Sequence, residues 1–311
     1  MTTQHPLCAP AVVTAVEQAA SAHRGRPWTV TGFTDLDDRA SHPAGILHGA
    51  PFSVFVKLDR AASGPEQFTA ELRGHRLLRE RAGVATPVPV GAGLVTGAFG
   101  SVLMLEALPE VPAQARTAAQ WRSIGRALAI AHRARGERHG LAEFDGFFGP
   151  LPQDNQPVGT TWAQFYAERR LLPRLRDAVD SGHLPAEVAG AVARLAGRLP
   201  ELCGPEPEPS LLHGDAQQNN FLTTADAAVL LDTAPGYGHP EADLALLDYF
   251  APVPGEVFDG YREVAPIDPG FGQRRELWRL HGYLAVLAVD GSSAFGRPFV
   301  RRVAEAVARY R

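Results

Sequence analysis

The chain has 311 residues, 45% of them hydrophobic, with a formal net charge of −4 and a pI near 6.3. That length can bury a large core, and the mild acidity leaves no basic footprint for nucleic acid. Two cysteines, Cys8 and Cys203, are too few for a disulfide framework or a zinc site, and no apolar run reaches the roughly 18 residues of a membrane span. The opening MTTQHPLCAP does not read as a signal peptide, so the expectation is a cytoplasmic monomer without nucleic-acid or membrane partners.

Up to about residue 105 the pattern alternates short strand-like runs, 28–33, 53–58, 88–90 and 101–105, with one strong helix over 65–81. Lys57, in SVFVKL, is the only lysine; the other 29 of the 30 basic residues are arginine. A chain that takes arginine almost everywhere yet keeps an ammonium on an apolar strand is using a compact charge that a guanidinium fork would not replace. Glu71, on the following helix, is available to pair with it. The run GAGLVTG at 91–97 has the spacing G-x-G-x3-G and continues into a strand pattern, which predicts a hairpin rather than a dinucleotide turn. No G-x4-G-K-[ST] loop is present.

Residues 108–114 read as a linker. Amphipathic helices are then expected over 117–135, 161–179, 185–202, 241–250, 272–289 and 297–309, with the proline-rich GPEPEPS at 204–210 as a stiff connector. The aromatic start of the second helix, Trp162 to Tyr166, reads as core, or as one ring lining a pocket. Ser292 and Ser293 lie in no G-x-S-x-G elbow, which argues against a hydrolase.

The segment 211–250 carries the chemistry. HGDAQQNN places Asp215 two residues after His213 and Asn220 five residues further on, between short extended pieces at 210–213 and 220–223. The apolar run 227–231 then delivers Asp232 as a buried aspartate at the end of a strand. One carboxylate to take the proton of an attacking hydroxyl, and an amide and second carboxylate to hold a metal on ATP phosphates, are the parts of a kinase-type phosphoryl-transfer site. His213 reads as a prop for the loop rather than a proton carrier. Asp243, opening DLALLDYF, reads as a helix cap before an apolar run.

With these motifs in order, the chain resembles the fructosamine (ketosamine) kinase family, within the aminoglycoside-phosphotransferase and protein-kinase-like superfamily. FVKLD, FTAELRGHRLL, SVLMLEAL, TWAQFYAERRLLPRL, HGDAQQNN and YGHPEADLALLDYF follow in the family's order. The resemblance implies an α+β, bilobal protein-kinase-like fold. Residues 1–107 would form a small nucleotide-binding lobe of antiparallel sheet with one helix, and 108–311 a larger, mainly helical catalytic and acceptor-binding lobe. It implies Asp215 as catalytic base, Asn220 and Asp232 as Mg2+ ligands, Lys57 paired with Glu71 on the phosphates of ATP, hinge backbone at Glu106 to Leu108 on the adenine, and Asp243 as a brace for the catalytic loop, a role compatible with its reading as a helix cap. The implied acceptor is a small-molecule or protein-bound ketosamine, deglycated after phosphorylation of its C3 hydroxyl.

The chain departs from the family pattern at three places. Gln217 stands on the sugar-binding side where a tryptophan is usual, and Thr233 follows the metal-binding aspartate in place of proline. Phe33 and Thr34 replace the paired glycines of the nucleotide loop. An aminoglycoside-type or other metabolite kinase, which would want an acidic acceptor pocket, and a catalytically dead nucleotide-binding relative stay open as alternatives. Asp226, Asp248 and Asp268 are not obviously enough for such a pocket.

Overall fold

The computed structural model describes residues 5–39 and 42–310. Its first long element was not among those expected. Helix α1 (Pro10–Arg24) opens on a proline, closes on Gly25 and buries Val12, Val16 and Ala20, which share one face at a spacing of four residues. The amino-terminal part therefore carries two long helices, not one.

Strands β1 (Gly32–Asp35), β2 (Ala44–His48), β3 (Val54–Asp59), β4 (Pro89–Gly97) and β5 (Gly100–Glu106) form an antiparallel sheet in the order β1-β2-β3-β5-β4. The strand expected from residue 28 starts only at Gly32, because Trp28 is buried and its Nε1 donates to the Phe52 carbonyl. β2 was unexpected, lying within what reads as a nucleotide loop. Phe33 and Thr34 are not in a loop at all: they pair with Leu47 and Ile46. The glycine-rich run is most of β4, irregular between Pro89 and Leu94, and it turns into β5 as a hairpin.

Alternation along β3 decides where the lone lysine points. Val54, Val56 and Leu58 pack with Val12, Val16 and Ala20 of α1, whereas Phe55 joins Phe68 and Leu72 of α2 (Gly64–Ala82). Lys57 shares the Phe55 face and so meets α2.

The remaining residues are mainly helical: α3 (Ala118–Arg133), α4 (Trp162–Tyr166), α5 (Leu172–Asp180), α6 (Ala186–Gly197), α7 (Leu199–Leu202), α8 (Pro240–Leu246), α9 (Gly255–Arg262), α10 (Phe271–Asp290) and α11 (Phe299–Ala308). The helix expected over 161–179 is a continuous path with a π-helical segment, Ala167–Leu171, between α4 and α5. The one over 185–202 breaks at Arg198, and the one over 241–250 stops at Leu246. α9 and the hairpin β6 (Gly146–Phe148) with β7 (Leu151–Gln153) were not expected. Two more short ladders frame the catalytic segment: β8 (Ser210–Leu212) pairs with β11 (Gly236–Gly238), and β9 (Phe221–Thr223) with β10 (Ala228–Leu230). No helix among the described residues is long and apolar enough to cross a membrane.

α3 and α9 cross backbone to backbone. A Cβ added at Gly125 would lie 1.8 Å from the Val257 carbonyl oxygen, and one at Gly260 would lie 2.1 Å from that of Arg122. Gly125→Ala is therefore expected to cost about 1–3 kcal/mol through overpacking. Gly272→Ala, at a helical position with nothing within 4 Å of the added atom, is expected to stabilise by about 0.5–1 kcal/mol. Urea unfolding midpoints of the two variants check both signs.

Candidate active site

The catalytic segment hangs on one buried carboxylate. Asp243 of α8 accepts from the backbone N–H of His213 at 2.6 Å and of Gly214 at 3.0 Å, and its Oδ2 lies 3.0 Å from His132 Nε2. His132 Nδ1 in turn lies 2.8 Å from the Tyr261 hydroxyl. The bend this fixes needs glycine. Gly214 has φ +85°, and a Cβ there would sit 1.8 Å from the Ala234 carbonyl oxygen. His213 is fully buried beneath the loop, and its Nδ1 accepts from the Asp215 N–H at 3.3 Å.

Beyond that bend, Asp215 reaches the cleft. Its Oδ2 accepts from Asn220 Nδ2 at 3.1 Å and from Gln217 Nε2 at 3.3 Å, while Oδ1 has no protein donor among the described residues. Asn220 Nδ2 also donates to the Asp215 carbonyl at 2.8 Å, which leaves its own Oδ1 uncommitted. Burial pushes the Asp215 carboxyl up to about 7, against the pull of Gln217 and Asn220.

Asp232 follows β10 and is the only non-glycine residue with positive φ, +48°, among the described residues. It is not buried as expected: its side chain is 47% exposed to the cleft, because the left-handed backbone turns it away from the core its strand leaves. Lys57 Nζ bridges Asp232 Oδ1 at 2.7 Å and Glu71 at 2.8 and 3.0 Å. Burial alone would lower the Lys57 pKa, but Asp232 and Glu71 together carry it well above the ordinary lysine range. Enclosure works to raise the Asp232 pKa, and the Lys57 charge outweighs it, holding this carboxyl low, at about 2.

These groups open on one cavity of about 580 Å3, lined by Lys57, Glu71, Asp215, Gln217, Asn220 and Asp232. Glu106 and Leu108 do not line it; the N–H of Glu106 is bonded to the Val88 carbonyl, and that of Ala107 to Ser53. Asp226, Asp248 and Asp268 are outside it too: Asp248 pairs with Arg275 and Arg279, and Asp268 with Arg274. The Trp162 to Tyr166 rings are core, packed with Trp278. The sequence reading missed the far wall of the cavity, built from Phe148, Tyr249, Phe250 and the carboxy-terminal end of α10. The only available signal was that two apolar runs, DLALLDYF and GYLAVLAVD, end on exposed or aromatic residues.

A five-stranded sheet with helices, a larger helical part and an acidic cluster with one lysine between them define a kinase-like phosphotransferase. The structure matches an aminoglycoside phosphotransferase solved with ADP and hygromycin B at a TM-score of 0.62 over 95% of this chain and 98% of that one; at 16% identity this shows a shared fold. The family model described as fructosamine kinase matches residues 12–309. A probable ketoamine kinase of Synechocystis sp. is 30% identical over 284 residues, covering 90% of this chain and 92% of the relative. A chloroplastic protein-ribulosamine 3-kinase of Oryza sativa subsp. indica is 30% identical over 272 residues, covering 86% and 77%. A crystal structure from Thermobifida fusca, of a protein provisionally described as a fructosamine-3-kinase, superposes with a TM-score of 0.79 at 31% identity, covering 96% and 99%. The chain belongs to the fructosamine kinase family of ATP-dependent phosphotransferases.

Asp243→Asn turns an amide N–H toward a backbone donor it now accepts from, so it is expected to lower stability by about 2–3 kcal/mol. A denaturant midpoint within error of the wild type would contradict the brace.

Proposed function

We propose that the protein transfers the γ-phosphoryl group of ATP to the C3 hydroxyl of a ketosamine, the rearranged adduct of a sugar on an amine. The observation carrying this is that Asp215, with Oδ1 uncommitted, faces the same cavity as the Lys57–Asp232 pair. Lys57, kept charged between two carboxylates, sets the phosphates of ATP. Glu71 anchors Lys57 to α2. Leu108 lies outside the lining of this cavity, so the adenine would sit beyond it, with the Leu108 N–H as the hinge donor left once those of Glu106 and Ala107 are bonded to Val88 and Ser53.

The remaining oxygens, Asn220 Oδ1 and the Asp232 carboxylate, form a hard donor set that fits Mg2+. When bound there, the ion would neutralise phosphate charge. Asp215 aligns the acceptor hydroxyl through Oδ1 and receives its proton as the new P–O bond forms and ADP departs. Asn220 and Gln217 keep its other oxygen fixed, so the carboxylate cannot rotate away. His213 and Asp243 hold the loop and touch neither substrate. A phosphate at C3 is a good leaving group where the hydroxyl was a poor one. Its elimination as inorganic phosphate leaves an imine at C1, and water hydrolyses that imine to a dicarbonyl sugar and the free amine, which is deglycation.

Asp215→Asn is expected to cut ketosamine-dependent ATP consumption by about 10^2–10^4-fold. In the wild type, kcat/KM is expected to fall about tenfold per unit below a pH of about 7, because the base works only when ionised. The sign for stability is opposite. A carboxyl raised in the folded state holds its proton to higher pH than in the unfolded chain, so the stability it contributes is present below a pH of about 3.8 and is lost as pH rises to about 7, with the full cost carried above that. The asparagine variant should therefore melt no lower than wild type at pH 8. Retained turnover in that variant would refute Asp215 as the base.

A further inference from the structure

The cavity has two unlike ends. Around Lys57 it is charged; at the carboxy-terminal end of α10 it is apolar, lined by Phe148, Phe250, Val286, Val289 and Phe295. Phe295 is 53% exposed, the most of any large apolar side chain among the described residues, and Val289 is 42% exposed. Phe295 packs 5.7 Å from the Phe250 ring and 5.4 Å from the buried Phe299, so this apolar wall is continuous with the core and firmly seated. Apolar side chains left open to water inside a ligand cavity are what an apolar ligand group would cover.

One charge stands on that wall. Asp290 lines the cavity, and among the described residues its carboxylate makes no hydrogen bond or ion pair. It is also the last residue of a 20-residue helix whose final turn holds no basic side chain. A carboxylate there adds to the negative end of the helix dipole, a placement that is locally unfavourable and is relieved by a cation. The other carboxylates lining the cavity are Asp38, between β1 and β2, and the Glu71, Asp215 and Asp232 group. Apart from the base Asp215, the apolar wall thus offers a single anion, Asp290; the basic lining residues other than Lys57 are Arg39 and His42, which lie with Asp38 between β1 and β2. That suits one ammonium carrying an apolar substituent, and suits neither a polycation nor an amine bearing a carboxylate.

We infer that Asp290 and the apolar wall of Phe250, Val289 and Phe295 form the amine subsite of the acceptor, selecting ketosamines built on an apolar, arylalkyl-type amine. Asp290 pairs with the secondary ammonium next to the sugar, and the wall covers the amine's hydrocarbon. This rests on the ketosamine reading above.

Two fructosyl adducts separate the cases: one of benzylamine and one of γ-aminobutyrate, whose carboxylate Asp290 would repel. The expected result is a kcat/KM at least about tenfold higher for the benzylamine adduct. Asp290→Asn should raise its KM about tenfold with kcat little changed and the KM for ATP unmoved. Phe295→Ala, at an exposed position, should raise KM for the same adduct and leave the γ-aminobutyrate adduct nearly unaffected. Calorimetry with 2-phenylethylammonium tests the subsite without any phosphoryl transfer. Binding that Asp290→Asn abolishes, with no turnover of either adduct, would overturn the ketosamine reading and keep the subsite. Equal use of both adducts, or an Asp290→Asn variant with unchanged KM and unchanged 2-phenylethylammonium binding, would overturn the subsite alone.

Discussion

The site depends first on one buried lysine. Lys57 on β3 holds Glu71 of α2 on one side and Asp232 of the β10–β11 connection on the other, at 2.8 and 2.7 Å. A neighbouring strand and helix and a turn 175 residues further along the chain are thereby tied at a single atom. Burying such a pair is expensive unless each charge is matched, and removing one partner leaves an uncompensated charge. Here one cation serves two carboxyl groups. Burial holds the Glu71 and Asp215 carboxyls above the usual range, and the Lys57 charge holds that of Asp232 below it, so Asp232 is the full partner of the lysine. Asp232 is turned out to the cleft, and its left-handed backbone is the local strain that achieves this.

A second constraint acts below the first. Asp243 satisfies the backbone donors of His213 and Gly214, so the tight bend before Asp215 is held by a carboxylate rather than by a sheet ladder. Glycine at 214 lets that bend press against the Ala234 carbonyl, two residues beyond Asp232. The Ala234 N–H donates back to His213 at 2.9 Å. The loop with Asp215 and the turn with Asp232 are therefore joined backbone to backbone, which constrains the distance between the two carboxylates. Catalysis by positioning needs that kind of rigidity.

What could be read from the sequence was what depends on short spacing. The interval from His213 to Asn220, the strand before Asp232 and the strand–helix pair of Lys57 and Glu71 are local patterns, and the structure places them together. The alternation of SVFVKLD even determines which sheet face carries the lysine. Helix α1 was missed although its i, i+4 apolar face, proline start and glycine stop are all present; β2 was missed because a phosphate loop was expected there. The exposure of Asp232 was misjudged because period-2 reasoning cannot foresee a left-handed residue. The apolar wall of the cavity was invisible for a different reason. It is assembled from the β6–β7 hairpin, the end of α8 and the end of α10, whose meeting is purely tertiary.

The charged end and the apolar end of the cavity thus follow different logic. One is fixed by charge matching and backbone contact, and the other by apolar surface with one carboxylate. The most direct test of the account is Lys57→Arg, measured as ketosamine-dependent ATP consumption with ATP binding followed by calorimetry. A planar fork keeps the charge but cannot occupy the compact point between Glu71 and Asp232. The expected result is a folded protein with turnover reduced by about 100-fold or more and weakened ATP binding. Near-wild-type turnover would show that the position requires only positive charge, and would contradict the central place given to this lysine.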